Sequence, residues 1–171
     1  MTFDPTRGHA ALRRGRCSQP SAEYFLTICT QAGRAGLVTQ PVADAILHEA
    51  RAMSADGTWI LLCAVIMPDH LHLLINLGER LALGKAVQRM KAKTSVTLRA
   101  RGLVWERNIF DRQIRPGDDR LAVFRYIYLN PYQAGLLSSS DRWPYYHCRE
   151  GEWAWFRDML DCDRPYPEWL I

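Results

Sequence analysis

The chain has 171 residues, of which 48% are hydrophobic and 23% charged, and its net charge is +4, all of which is ordinary for one globular domain. This length excludes a closed β/α barrel, which needs roughly 250 residues, and the longest apolar run, Trp59 to Pro68, is too short for a membrane helix of about 18 residues or more. The five cysteines are odd in number and lack C-x-x-C spacing, which predicts free thiols rather than a disulfide framework or a zinc knuckle.

Charge is sorted along the chain. Residues 1–139 contain 18 Lys and Arg against 11 Asp and Glu, giving +7, whereas residues 140–171 contain 4 against 7, giving −3. The first twenty residues are rich in Arg and contain neither an apolar segment nor a periodic pattern. We therefore expect a mobile basic arm rather than a signal peptide, and a cytoplasmic, nucleoid-associated protein.

The hydrophobic pattern predicts, in chain order, a strand over 23–30, a helix over 41–53, strands over 59–67 and 70–77, a helix over 81–101, a strand over 109–114 and a helix over 121–129. This order contains the split βαβ pattern of ferredoxin-like α+β folds. We predict an antiparallel sheet with helices on one face. Three regions follow: the arm over 1–20, a catalytic domain over 21–140, and a Trp-rich acidic extension over 141–171.

His70 and His72 stand two apart on a predicted strand, so their imidazoles project from the same face and can converge on one divalent cation. An isolated pair of this kind is often incidental. Tyr126 and Asn130 are four apart on the last predicted helix, so a phenol and an amide oxygen share one face. Tyr128 continues the apolar stripe of that helix and is expected to face the core instead.

The predicted helix over 81–101 carries six cations and no acid: Lys85, Arg89, Lys91, Lys93, Arg99 and Arg101. Such an unpaired row repels itself unless a polyanion neutralises it, so nucleic acid is the expected partner. Other candidate DNA contacts lie in the arm and after this helix: Arg13, Arg14, Arg16, Arg107, Arg112 and Arg115. Solvated surface charge is the alternative for each, and the last three can instead pair with Asp111 or Glu106.

Four segments, MPDHLHLLI, VWERNIFDRQIR, YIYLNPYQAGLL and DRWPYY, together resemble the REP-associated tyrosine transposases, a branch of the single-tyrosine HUH (His-hydrophobic-His) transposases. The resemblance extends over about residues 22–146. It implies that His70 and His72, with Asn130, bind a divalent metal, Mg²⁺ or Mn²⁺, and that Tyr126 is the nucleophile. It also implies the substrate, a repetitive extragenic palindromic (REP) hairpin with a single-stranded flank, which a monomer cuts through a 5′-phosphotyrosine intermediate.

Other functions remain open at this point. A non-cleaving module of the same fold would hold hairpin DNA without cutting it, and a metal-dependent RNA nuclease would use water as its nucleophile. A purely structural module is disfavoured by the basic helix. Attack by tyrosine leaves a covalent protein–DNA adduct, and none of these alternatives does.

Overall fold

The computed structural model describes residues 18–138 and 141–152. The elements along the chain are β1 (Glu23–Cys29), α1 (Gln40–Ala55), β2 (Trp59–Ile66), β3 (His70–Leu77), α2 (Leu83–Arg99), β4 (Phe110–Ile114), α3 (Arg120–Gln133) and β5 (Tyr146–Cys148). All strand pairings are antiparallel, and the sheet order is β4-β1-β3-β2-β5. The first four strands with α1 and α2 confirm the ferredoxin-like α+β class. None of the helices in these two ranges is long and apolar enough to cross a membrane.

One face of the sheet packs against α1 and α2. On β3, Leu71, Leu73 and Ile75 are buried in this core, as the period-two pattern predicts. Helix α1 begins with Pro41 in its first turn and ends before Gly57, whose φ of 77° is a left-handed conformation that favours glycine. The two helices therefore cover the face of β3 that is opposite to its histidines.

Helix α3 lies on the other face of the sheet. Phe124 and Ile127 of α3 are fully buried there against Val65 of β2 and Leu74 of β3. The prediction that helices lie on one face is therefore correct for α1 and α2 and wrong for α3. The reason is that Val65 of β2 and Leu74 of β3 make this face of the sheet apolar beside His72, so it forms a second core where Phe124 and Ile127 cover it.

Helix α3 also continues beyond its predicted end. Pro131 lies inside the helix rather than after it, although proline cannot donate the usual backbone hydrogen bond. Pro131 and Tyr132 are buried, and the Tyr132 hydroxyl donates to the Asp141 carbonyl at 2.8 Å. Tertiary packing thus holds the last turn, and the chain leaves the helix at Gly135, whose φ is 66°.

The sequence pattern does not predict β5, which pairs with the outer edge of β2. Part of the expected C-terminal extension is therefore the fifth strand of the sheet. The chain enters β5 beside Trp143, whose indole N–H donates to the Ile66 carbonyl at 2.8 Å. The rest of the extension, residues 153–171, lies outside the described residues.

Candidate functional site

His70 and His72, at the N-terminal end of β3, lie on the face of the sheet that α3 covers. The Nε2 atoms of His70 and His72 are 3.1 Å apart. His72 is only 2% exposed, and Phe25 of β1 stacks on its ring with centroids 5.3 Å apart. Burial, and secondarily the neighbouring His70, lower the pKa of His72 from 6.5 to about 3. His72 is therefore neutral near pH 7, the form in which imidazole binds metals.

Each imidazole is held through its other ring nitrogen. The Asp69 carboxylate is 2.7 Å from Nδ1 of His70, and the Thr27 hydroxyl is 2.9 Å from Nδ1 of His72. When these oxygens accept from Nδ1–H, both Nε2 atoms keep a lone pair directed at the same point. The sequence analysis does not identify Asp69 or Thr27 as residues of the site. An acid directly before the His-x-His pair is a usable signal for Asp69, whereas Thr27 is found only through its register pairing with His72.

Helix α3 brings a phenol and an amide to these histidines. The ring centroid of Tyr126 is 5.1 Å from that of His72 and 5.7 Å from that of Phe25. Tyr126 is 44% exposed, so the residue is accessible from solution. The Asn130 side-chain nitrogen is 3.3 Å from Nε2 of His72, and a half-turn of the amide presents its oxygen instead.

Tyr128 lies on a different side of α3, as the helical-face argument predicts. Its ring contacts those of Tyr132 and Tyr146, with centroids 5.9 Å and 5.4 Å away. Of the two tyrosines in question, Tyr126 is the one beside His72. The four residues expected at one site, two histidines, a tyrosine and an asparagine, are thus brought together by β3 and α3.

The donors at this site are suited to one divalent cation with open coordination positions. Adjacent ligands on an octahedral ion with bonds of about 2.1 Å are about 3 Å apart, and the separation between the Nε2 atoms of His70 and His72 is 3.1 Å. No cluster of three or more His, Cys, Asp or Glu side chains suited to a metal occurs in the part of the chain that the structure describes. Two imidazoles, with Asn130 as a candidate third ligand, would leave open coordination positions on such an ion.

A groove of about 1060 Å³ runs between α2 and β4. We call it the basic groove, because its lining contains five cations and two carboxylates: Lys85, Lys91, Arg107, Arg112, Arg115, Asp111 and Asp118. At one end its lining includes Arg107, and the preceding Glu106 N–H donates to the Cys29 carbonyl at 2.8 Å. Cys29 is the register partner of His70, but none of the four residues of the histidine site lines the groove.

The prediction of a wholly unpaired basic helix is wrong at two positions. Arg89 forms ion pairs with Asp56 at 2.6 Å and Glu49 at 3.5 Å, which come from α1 and the turn after it. The Lys91 ammonium donates to three carbonyls of the loop over 106–108, and burial lowers its pKa. The groups that pair with Arg89 and Lys91 lie outside α2 in the sequence, so the charge pattern of the helix alone does not predict these contacts. These two cations hold neighbouring elements in place.

The remaining predicted DNA contacts are separated in space. Lys93, Arg99 and Arg101 are exposed on or just after α2 and do not line the basic groove. Arg112 lines the groove and pairs with Asp118 at 3.4 Å. Arg13, Arg14 and Arg16 lie outside the described residues. The described candidates for DNA contact therefore fall into residues that line the basic groove and exposed residues that lie outside it.

Comparison with known proteins identifies the family. The model for IS200-like transposases matches residues 18–113, which are more than half of the chain and include both histidines, and the match ends before α3. A solved structure of a REP-associated tyrosine transposase bound to a REP hairpin has the same fold, with a TM-score of 0.66, 20% identity, and coverage of 77% of this chain and 79% of that chain.

Another solved structure, of a Deinococcus radiodurans R1 protein assigned as a transposase, has a TM-score of 0.49 and 21% identity, covering 67% of this chain and 95% of that chain. This second likeness is too low to add to the fold assignment. No match was found among curated proteins. On the family match over residues 18–113, the chain belongs to the IS200-like transposases.

Proposed function

We propose that the protein is a metal-dependent single-stranded DNA endonuclease and strand transferase that cuts REP hairpins through a 5′-phosphotyrosine intermediate. The observation that carries this proposal is the approach of Tyr126 on α3 to the His70–His72 pair on β3. Membership of the IS200-like transposases and the likeness in fold to a REP-associated tyrosine transposase support the class of substrate.

In this mechanism Tyr126 is the nucleophile. Its phenol loses its proton to solvent as the oxygen attacks the phosphorus of the scissile phosphodiester. The bond to the 3′ oxygen breaks, which leaves a 5′-phosphotyrosine and a free 3′ hydroxyl. A divalent cation held by His70, His72 and Asn130 would polarise the phosphate and stabilise its developing charge. Asp69 and Thr27 keep the two imidazoles turned towards that position.

The basic groove is the path that we propose for the DNA. Its lining contains five cations against two carboxylates, and one of the cations, Arg107, directly follows Glu106, whose N–H donates to the carbonyl of Cys29, the register partner of His70. A hairpin stem held along α2 and β4 would therefore deliver its flanking single strand towards Tyr126. Phosphate contacts of this type position a substrate without reading its sequence.

The position of a label on the DNA tests the proposed chemistry. A hairpin with a single-stranded flank is incubated with the protein and Mg²⁺ or Mn²⁺ and then denatured. With the label on the 3′ side of the cut, we expect a denaturant-resistant protein–DNA adduct; with the label on the 5′ side, we expect a shortened free strand. Cleavage without an adduct would indicate water as the nucleophile, and binding without cleavage would indicate a non-cleaving module. Either result contradicts the proposal.

The positioning of the histidines predicts a loss of metal affinity in two variants. Asp69→Asn replaces the charged acceptor that orients His70 with a weaker neutral one, and Thr27→Val removes the hydroxyl that orients His72, so we expect each variant to bind Mn²⁺ about 10–100-fold more weakly. Calorimetric titration with Mn²⁺ alone measures this without any cleavage. Imidazole ligands suit transition-metal ions, which is why Mn²⁺ is the better probe here.

Asp44→Asn is the matched control, because Asp44 is an exposed carboxylate on α1 that contacts only Gln40 among the hydrogen bonds observed for it. It should leave the Mn²⁺ affinity unchanged. Equal affinities for the Asp69 variant and this control would show that Asp69 does not position a metal ligand.

The groove predicts how DNA binding depends on salt. Each phosphate neutralised contributes about −0.7 to the log–log slope of affinity against salt for single strands and about −0.9 for duplex. Lys85 and Arg107 line the groove, so replacing both with Ala should make the slope shallower by about 1.4–1.8. Fluorescence anisotropy with a labelled hairpin over a range of salt concentrations measures it.

The matched control replaces Arg99 and Arg101, which are exposed but lie outside the groove lining. This variant loses the same formal charge and should keep the slope of the unmodified protein. A larger change in the control than in the groove variant would place the DNA on the outer end of α2 and not in the groove.

A further inference from the structure

Two cysteines face each other across β2 and β5. Cys63 and Cys148 are register partners in this antiparallel pair. The neighbouring position is hydrogen-bonded, because the Arg149 N–H donates to the Leu62 carbonyl at 2.8 Å. Since hydrogen-bonded and non-hydrogen-bonded pairs alternate along an antiparallel ladder, Cys63 and Cys148 form a non-hydrogen-bonded pair.

This position has the geometry that a disulfide requires. Residues opposite each other in a non-hydrogen-bonded pair have Cα atoms about 4.5 Å apart and side chains on one face, and disulfides span Cα separations of about 4.4–6.8 Å.

The register of β2 with β3 shifts between Leu61 and Cys63. Leu61 lies in the core beneath α1 and α2, whereas Cys63 lies in the core beneath α3, beside Cys148. The irregularity thus directs the Cys63 thiol to the Cys148 side of the sheet.

The two thiols differ in reactivity. Cys63 is fully buried, whereas Cys148 is partly open to solvent. Interaction with the Cys63 thiol lowers the pKa of Cys148, while burial, followed by the interaction with Cys148, raises the pKa of Cys63. Thiolates attack oxidants and thiols do not, so Cys148 is the residue that reacts first.

We propose that Cys63 and Cys148 form a site of reversible oxidation by hydroperoxides, at which a disulfide joins β2 to β5. The Cys148 thiolate attacks one oxygen of hydrogen peroxide; the O–O bond breaks, and the products are a sulfenic acid and hydroxide, which takes up the proton lost from Cys148. The Cys63 sulfur then attacks the sulfenic sulfur. The S–O bond breaks, the S–S bond forms, and the hydroxyl group leaves as water with the Cys63 proton. A dithiol then reduces the bond by exchange: its two sulfurs end as a disulfide, and Cys63 and Cys148 return to thiols.

The bond would form next to the helix that carries Tyr126. The Cys63 thiol donates a hydrogen bond to the Tyr146 hydroxyl at 3.3 Å, and this donor is lost on oxidation. The Tyr146 ring packs edge-on against Tyr128 of α3, with centroids 5.4 Å apart. The redox state of the cysteine pair is therefore transmitted to the support of α3, on the side of the helix away from the histidines.

Peptide mapping of the full-length protein tests the proposal. The reduced protein is treated with increasing hydrogen peroxide, its free thiols are alkylated, and its digest is analysed by mass spectrometry. We expect a Cys63–Cys148 linked peptide to be the main disulfide at the lowest effective dose and dithiothreitol to remove it. The oxidised protein should also melt at a higher temperature than the reduced protein, because the bond closes a long loop.

Variants separate this pair from general oxidation. In Cys63→Ser, Cys148 should accumulate as a sulfenic acid that dimedone traps, since its resolving thiol is missing. Cys29→Ser, which alters a cysteine of β1, should keep the full yield of the linked peptide. The wild-type measurement is decisive even if a variant fails to fold. A main disulfide between another pair of the five cysteines, or Cys148 oxidised to sulfinic acid while Cys63 is alkylated, would overturn the proposal.

Discussion

Replacing Tyr126 with Phe is expected to eliminate the covalent protein–DNA adduct. The substitution keeps the ring that contacts His72 and Phe25 and removes only the hydroxyl, which lies on a side chain that is 44% exposed. The fold and hairpin affinity should therefore be unchanged. Loss of a nucleophile typically lowers turnover by about 10³-fold or more, so the adduct should fall below detection on a denaturing gel.

Tyr128→Phe is the matched control for this variant, because it removes the same atom from the same helix two residues away. Tyr128 packs against Tyr146 and shares a hydrogen bond with Tyr132. The control should form adduct at the wild-type rate and lose about 1 kcal/mol of stability. Proteolysis of the wild-type adduct then identifies the linked residue. DNA attached to Tyr128, or to a residue outside α3, would show that the wrong nucleophile has been assigned.

The site could be predicted largely because period-two and period-3.6 arguments are local. Side chains two apart on a strand share a face, so His70 and His72 had to project together. Residues four apart on a helix also share a face, which paired Tyr126 with Asn130 and excluded Tyr128. These rules do not depend on what the element packs against. The structure accordingly places all four residues as the pattern predicts, although their chemical roles remain proposals.

What the sequence did not predict depends on contacts between distant segments. Thr27 meets His72 only because β1 pairs with β3 in one register, and Arg89 meets Glu49 only because α2 packs beside α1. The same holds for β5, a strand of three residues whose pairing partner is β2. Three residues carry too little periodicity to indicate a strand, and β5 is stabilised by the core beneath α3 instead.

The placing of α3 explains why the histidine site is both buried and reachable. A ferredoxin-like unit with helices on one face would leave His72 in solvent, where its pKa would stay near 6.5. Covering that face with α3 buries His72 and lowers its pKa to about 3. Tyr126, on the rim of the same helix, stays open to solvent. The additional helix therefore places a neutral imidazole, the form that a metal ligand requires, next to an accessible phenol.

His70→Ala should abolish cleavage while leaving hairpin binding intact. His70 provides one of the two ring nitrogens 3.1 Å apart and lines none of the basic groove, so its loss should remove a proposed metal ligand without removing a groove contact to phosphate. We expect Mn²⁺ affinity to fall by more than the roughly 100-fold seen when an outer-shell partner is lost. Calorimetry with Mn²⁺, the adduct assay and hairpin anisotropy measure the three quantities separately.

His72→Ala should have the same effect on cleavage, with a cost in stability that His70→Ala does not share. His72 is buried, and its removal leaves the Thr27 hydroxyl without its partner, at about 1–3 kcal/mol. His147→Ala is the matched control: this half-buried histidine of β5 contacts Arg51 and lies away from the site, so cleavage should persist. Each of these three variants loses one imidazole. Only the variants at His70 and His72 should bind Mn²⁺ more weakly, because only these two histidines lie at the site. Full cleavage by His70→Ala at limiting metal would mean that the phenol of Tyr126 acts without an ion held by this pair.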